Sequence, residues 1–420
     1  WVAQLKSTAQ YATLSIINTI LHTIIKGAEG LMVGAIIMCG QYCGARQLRA
    51  VGHTFTTAFW SMLAIGVCAS AVLFFAPYFL LYYSNLSPAM LAYGVPFVRV
   101  RALGILLMFA YFAFIAFLRG VKNTRTPMVA FVVGGLVFIF FDYALIFGAC
   151  GLPCLGLQGS AWATVLQYST MLLLVAVTVF RQPIYRQYGL TLFGYRPKWA
   201  EVRHFLALGW PAVVDKLAMA LAYWWLGRLI LDMGQELGAS FGLIKDFERA
   251  VFLPAIAFAQ VITFLASNDI GAKNIIGIKA NIKKIMLLAH IFVFIILALM
   301  IYYQDFLIHL FDPQGNFTEI TKQAFPIISF LVFFDVLQIL LSGALRGVSD
   351  VQVVMWTRVA VCIVFFFPVS YAISKLPWGD NVLKFILIYS VFYLSNGLMS
   401  LVYVQRFRSG KWLKQTEFYQ

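Results

Sequence analysis

Eleven long apolar runs follow one another along the chain, near residues 8 to 43, 50 to 82, 87 to 118, 127 to 149, 157 to 180, 204 to 232, 238 to 270, 279 to 310, 320 to 345, 354 to 376 and 384 to 405. Each is long enough to supply the roughly 20 apolar residues that an α-helix needs to cross the hydrocarbon of a bilayer. No water satisfies backbone N–H and C=O groups there, so only helices and closed barrels can span it. Barrel strands show short segments of alternating polarity, whereas these runs are continuous. The sequence therefore predicts an all-α integral membrane protein, with the lipid bilayer as its first partner. Composition agrees, because 62% of the 420 residues are hydrophobic and 11% charged, against about 45–50% and about 25% in soluble domains. Several runs exceed one bilayer thickness, which predicts tilt or extension into the headgroups.

A short turn occurs twice. Leu118-Arg119-Gly120-Val121 and Leu345-Arg346-Gly347-Val348 are each followed by a Met nine residues after the Arg, Met128 and Met355, and the two copies stand 227 residues apart. Gly44-Ala45-Arg46 and Gly271-Ala272-Lys273, each closing an apolar run, keep the same interval of 227. Two motifs sharing one offset mark two homologous halves. Shifted back by that offset, the sixth run falls at −23 to 5. The expectation is that the first helix of the first half lies upstream of Trp1 and that the intact protein has twelve spans, six per half. The predicted organisation is an N-lobe over 1–182, a basic linker over 183–203 carrying Pro183 and Pro197, a C-lobe over 204–406 and a tail over 407–420.

A net charge of +15 would suggest nucleic acid in a soluble protein. No such partner is expected here, because the basic residues gather in alternate loops. Nineteen Lys and Arg fall in one set: Arg46, Arg49, Arg119, Lys122, Arg125, Arg181, Arg186, Arg196, Lys198, Arg203, Lys273, Lys279, Lys283, Lys284, Arg346, Arg406, Arg408, Lys411 and Lys414. The opposite loops hold three, Lys322, Lys375 and Lys384. Lys and Arg are retained on the cytoplasmic side during insertion. Both Arg-Gly turns and the C-terminus are therefore expected in the cytoplasm of a multi-pass plasma membrane protein, most simply a bacterial inner-membrane one. An even number of spans per half makes the repeat parallel, about a pseudo-two-fold axis along the membrane normal.

An ionisable side chain inside a span is costly and is a functional candidate by default. Asp335 lies eleven residues before Arg346, about 16 Å along a helix, with Gln338 one turn further on. Asp142 sits in Phe140-Phe141-Asp142-Tyr143, and Asp215 follows Pro211 and precedes Lys216. Pro211 removes an internal hydrogen bond and is expected to open its helix. In Lys245-Asp246-Phe247-Glu248-Arg249 the i,i+3 spacing pairs Lys245 with Glu248, leaving Asp246 or Glu248 as a ligand-contacting acid. Lys26 and Glu29 form a similar pair of structural character, and Arg99 and Arg101 are placed to snorkel to the interface. The six Cys form no zinc pattern, and Cys150 and Cys154 would pair if their loop faces an oxidising compartment. No Walker A loop, His-Glu-x-x-His helix or nucleophile elbow occurs, and the five His are scattered. The chain is not expected to be an enzyme or to carry a cofactor. Its work would draw on an ion gradient or on the substrate itself.

Taken in order, the motifs resemble the multidrug and toxic compound extrusion (MATE) family over essentially the whole chain. They are Gln41-Tyr42-Cys43-Gly44-Ala45, Leu118-Arg119-Gly120 with Thr124-Arg125-Thr126-Pro127-Met128, Leu145-Ile146-Phe147-Gly148, Leu155-Gly156, Gly159-Ser160-Ala161-Trp162-Ala163-Thr164, Gly271-Ala272, and Asp335 through Leu345-Arg346-Gly347. The resemblance implies two six-helix lobes rocking about a central cavity to exchange a cytoplasmic drug for external Na⁺ or H⁺. Asp335 would be the tenth-helix carboxylate that binds the cation in NorM-like members. Asp142 would be the fifth-helix aspartate of DinF-like members, and Thr164 a sixth-helix hydroxyl of that site.

There are departures from the family pattern. Phe138 stands where an asparagine usually precedes the fifth-helix aspartate, and the seventh-helix acid falls on Met219, with Asp215 one turn earlier. The expected function is a monomeric antiporter exporting cationic or amphipathic organic compounds. Asp335, Asp142 and Asp215 would hold the coupling cation, and Gln338, Asp246, Glu248 and Thr164 would line the substrate cavity. A flippase of lipid-linked or polysaccharide precursors in the same superfamily is the alternative, followed by a non-transporting scaffold or receptor.

Overall fold

The computed structural model describes residues 8–82, 88–312, 315–377 and 380–413. Lys414 and the rest of the tail lie outside the described residues. Among the described residues, eleven helices are long and apolar enough to cross a membrane and no strand occurs. The chain runs through α1 (Thr8–Gly44), α2 (Leu48–Phe75), α3 (Pro77–Tyr82), α4 (Pro88–Gly120), α5 (Arg125–Phe147), α6 (Leu157–Arg181) and α7 (Trp199–Leu231). It continues through α8 (Gln235–Gly271), α9 (Ile275–Tyr302), α10 (Gln304–Phe311), α11 (Thr318–Gly347), α12 (Val351–Val361), α13 (Phe367–Lys375) and α14 (Asn381–Arg408). Two apolar runs turn out to be a span plus a short helix. The run 50 to 82 breaks at Ala76, where Pro77 disfavours a helical conformation in the residue before it, and 279 to 310 breaks at Tyr303. One π-helical segment, Cys362–Phe366, joins α12 to α13, just where Pro368 cannot donate a backbone hydrogen bond.

The offset read from two motifs holds for whole helices. A shift of 227 carries α1 onto α8 and α2 onto α9 end to end, and the last residue of α4 onto that of α11. It also carries left-handed residues onto each other: Arg46 (φ 58°) onto Lys273 (57°), and Lys122 (64°) onto Ser349 (67°). Each such turn is closed by the same backbone bond, Gln47 N to Tyr42 O and Asn274 N to Asp269 O in one pair, Asn123 N to Leu118 O and Asp350 N to Leu345 O in the other. This is the six-to-one bond of a Schellman turn, which satisfies the last helical carbonyls. The glycine of the Arg-Gly turn has its own reason. A Cβ on Gly120 would stand 2.5 Å from Cys39 Cβ, and one on Gly347 would stand 2.5 Å from Thr263 O and 2.7 Å from Ala266 Cβ. Cys39 and Ala266 are again 227 apart. Only a residue without a side chain lets α4 lie this close to α1, and α11 to α8.

The chain divides into two compact units, Trp1–Val213 and Val214–Gln420. The division falls inside α7, beyond the linker where the sequence places it, because the linker and the start of α7 are fastened to the first unit. Thr56 donates to Thr191 O at 2.6 Å, Trp60 Nε1 to Leu192 O at 2.7 Å, and Thr57 to Glu201 at 2.9 Å. Tyr195 also donates to Glu201 and stacks on His53, with ring centroids 3.9 Å apart. Burial, that hydrogen bond and the Glu201 charge push the Tyr195 phenol up to about 12. The first unit centres on Phe55, Phe114 and Phe117. Its α5 exposes Phe131, Leu136, Ile139 and Phe140, an apolar surface suited to lipid. In the second unit α11 is the central helix, packed on α8 and α14.

One expectation fails locally. Pro211 does not open its helix, since α7 runs unbroken through it. Cys150 and Cys154 are both free, exposed thiols.

Candidate functional site

The buried acids of the second unit divide by whether a guanidinium reaches them. Asp335 is 5% exposed in the middle of α11, where the apolar Phe333-Phe334 step and Val336-Leu337 leave it no partner on its own helix. Its contact comes from α14, where Asn396 Nδ2 donates to Oδ1 at 3.0 Å. No ion pair among the described residues engages Asp335. The Asn396 Oδ1 is itself buried without a donor, so carboxylate and amide together offer oxygen ligands suited to a hard cation or a proton. Gln338, one turn on, is buried beside this position with its Nε2 lacking an acceptor.

Glu248 differs from expectation. Lys245 does not pair with it; the ammonium lies over the rings of Tyr223 (5.2 Å) and Phe241 (5.7 Å), where ring quadrupoles attract it. Glu248 is 2% exposed and accepts two phenol hydroxyls instead, from Tyr389 at 2.5 Å and from Tyr393. These tyrosines are one turn apart on α14, with ring centroids 5.7 Å apart. Neighbour Asp246 points the other way. Its side chain is 60% exposed and pairs with Arg249 at 3.2 Å, so it does not line an interior site.

Asp215 is also corrected. It is buried, but Arg346 engages one oxygen and Arg358 the other, joining α7 to α11 and α12. Each Asp215 oxygen is thus already engaged by a guanidinium, unlike the oxygens of Asp335. Asp350 is likewise fully buried and held by Arg406 Nε at 2.6 Å, which ties the second Arg-Gly turn to α14.

The first unit holds its own candidate. Asp142 on α5 is 6% exposed, with Oδ1 buried and unpartnered. Ser160 on α6 faces it. Thr164, one turn beyond, returns its hydroxyl to Ser160 O at 3.1 Å. The predicted neighbourhood of Asp142 and Thr164 thus exists, with Ser160 between them. Lys26 and Glu29 pair at 3.1 Å, as their spacing predicts.

Sequence reasoning missed Arg358, Tyr389, Tyr393 and Asn396. Arg358 had a usable signal, since a basic residue inside a span needs a partner. The tyrosines and Asn396 had none, because neutral residues of a helix do not announce which face meets an acid.

Comparison with known proteins is consistent with this architecture. The family model described as MatE matches residues 1–144 and 211–372. A probable multidrug resistance protein NorM from Thermotoga maritima is 24% identical over 76% of this chain and 68% of its own length. The multidrug resistance protein PmpM from Pseudomonas aeruginosa is 23% identical over 87% of this chain and 77% of its own. An outward-facing structure of a multidrug resistance MATE family transporter superposes with a TM-score of 0.88 at 17% identity, covering 97% of this chain and 90% of that one.

Proposed function

The chain belongs to the MatE family of multidrug efflux transporters, and from that premise we propose that it exports cationic or amphipathic organic compounds in exchange for H⁺ or Na⁺, with Asp335 as the coupling ligand. The observation that carries this reading is a mid-span carboxyl that hydrogen-bonds a neutral amide and forms no ion pair among the described residues. In a medium this poor in water a bare carboxylate is unstable by several kcal/mol, so the side chain is poised to exchange one cation for another. Binding of H⁺ or Na⁺ neutralises it; release leaves an acceptor that attracts an organic cation. Such competition drives transport by alternating access only if ion and drug favour opposite conformations, because a ligand shifts an equilibrium by no more than its differential affinity. Asp142, with its unpartnered oxygen beside Ser160, is a second candidate ligand in the first unit. The charge bias of the loops supports a cytoplasmic C-terminus.

The test is ethidium efflux from proteoliposomes containing the full-length protein, under imposed pH or Na⁺ gradients. Asp335→Asn should abolish gradient-driven flux while leaving the protein folded. Wild-type flux in that variant would refute the assignment.

A further inference from the structure

Among the buried carboxylates of the second unit, Asp215 has Arg346 and Arg358, and Asp350 has Arg406. Glu248 has two phenols. We propose that Glu248 is a second proton-binding site, separate from Asp335, which takes up and releases a proton during the cycle. Its role in transport rests on the antiport reading above, but its existence does not.

The geometry argues for a proton rather than a metal ion. Both Glu248 oxygens are already within hydrogen-bond reach of hydroxyls, Tyr389 on one and Tyr393 on the other. The cage is walled by rings: Phe241 packs on Tyr389 with centroids 5.3 Å apart, and Phe385 lies 6.0 Å from Tyr389 on another side. Both carboxylate oxygens already accept phenol hydroxyls, so a metal cation would have to displace those donors, whereas a proton would not. A proton needs one oxygen. It also needs no rebuilding of the cage, because a phenol both donates and accepts and its hydroxyl rotates. With Glu248 ionised, both phenols donate to it. When a hydronium ion transfers its proton to Glu248 and leaves as water, the new acid O–H donates to one phenol oxygen while the other phenol still donates to the carbonyl.

The charged and titratable groups facing Glu248 from the surrounding helices fit this use. Lys245 on its own helix is turned to the Tyr223 and Phe241 rings. Asp335 on α11 and Tyr223 on α7 interact with it electrostatically, and Tyr389 and Tyr393 on α14 bond it directly. Lys245 acts on Glu248 through its charge without contacting it, and no ion pair involving Glu248 occurs among the described residues, so both carboxylate oxygens are left to the phenols and to a proton.

Infrared difference spectroscopy of the reconstituted full-length protein, stepped from alkaline to acid pH, tests the site without any substrate. The expected result is a protonated-carboxyl C=O band that Glu248→Gln removes and Asp335→Asn leaves in place. Tyr393→Phe retains the acid but deletes a donor, and should move the band to higher frequency. A band unchanged in Glu248→Gln, or unmoved in Tyr393→Phe, overturns the proposal. Ethidium efflux driven by a pH gradient, with the membrane potential clamped, supplies the transport arm: Glu248→Gln should exchange one proton fewer per ethidium, and an unchanged ratio overturns the transport role. Absence of gradient-driven flux in the wild type would defeat the antiport reading alone, because the infrared result is obtained independently.

Discussion

Asn396 donates to Asp335 across 3.0 Å and so joins α14 to α11 at a carboxyl that forms no ion pair among the described residues. A hydrogen bond to a charged group contributes about 1.5–3 kcal/mol, or roughly a ten- to hundredfold change in an equilibrium constant. Asn396→Leu removes the donor at nearly constant volume. Coupled ethidium exchange in proteoliposomes should fall by about tenfold or more, and the unfolding temperature in detergent should fall modestly, as the loss of a buried donor to a carboxylate requires. An unaltered exchange rate would show that Asn396 does not tune the site.

The triad of Asp215, Arg346 and Arg358 predicts the opposite division between folding and transport. Removing one partner of a buried ion pair costs about 3–5 kcal/mol, because it strands the other charge. Asp215→Asn should therefore lower the unfolding temperature sharply, and Arg358→Gln similarly. The double variant should be less impaired than the two single losses added together, because neighbouring substitutions couple. Fluorescence-detected unfolding in detergent reads this directly. Simple additivity would mean that the contact contributes little.

The span pattern and the two halves were legible because they depend on one-dimensional quantities, the length of apolar runs and a fixed offset. The Arg-Gly turn is the clearest case: its repetition in sequence is a repetition of backbone, down to Lys122 and Ser349 sharing a left-handed φ. Partners across the fold were not legible. Lys245 looked like the mate of Glu248 because i,i+3 spacing is the contact a sequence can compute, while the real donors lie 141 and 145 residues away. For Asp215 the sequence could offer only its neighbour Lys216 as a charge partner, while the actual partners are 131 and 143 residues distant. The repeat could not supply them either. Shifting Arg358 back by 227 lands on Phe131, an exposed residue of α5, so the repeat holds no counterpart of this arginine in the N-terminal half.

Close helix approach at the repeated turn yields a paired prediction. Alanine at Gly120 or Gly347 would place a methyl 2.5 Å from a neighbouring atom. Such overpacking costs about 1–3 kcal/mol. Gly347→Ala should be the worse of the two, because it meets the Thr263 carbonyl oxygen, part of the backbone, whereas Gly120→Ala meets the Cys39 side chain first. Gly135→Ala on α5, with nothing within 4 Å of the added carbon, is the control. It should stabilise by up to about 1 kcal/mol through helix propensity. Unfolding temperatures of the three variants, measured side by side, decide the matter.

Asp312 links pH to the loop before α11. Burial pushes its carboxyl up, but the Phe317 N–H at 2.9 Å, the Thr318 hydroxyl at 2.8 Å and the Asn316 N–H at 3.1 Å together hold it below the usual carboxylate range. A depressed carboxyl stabilises the folded state fully above its unfolded value, about 3.9, and loses that contribution as pH falls through the lower folded value. Asp312→Asn should therefore unfold at a lower temperature than wild type near neutral pH. The gap should close progressively once the pH drops below about 3.9, since wild type then forfeits the same charge-assisted bonds. Parallel unfolding curves across that range check the sign, and a gap that persisted unchanged into acid would assign the loop's order to contacts other than the Asp312 charge.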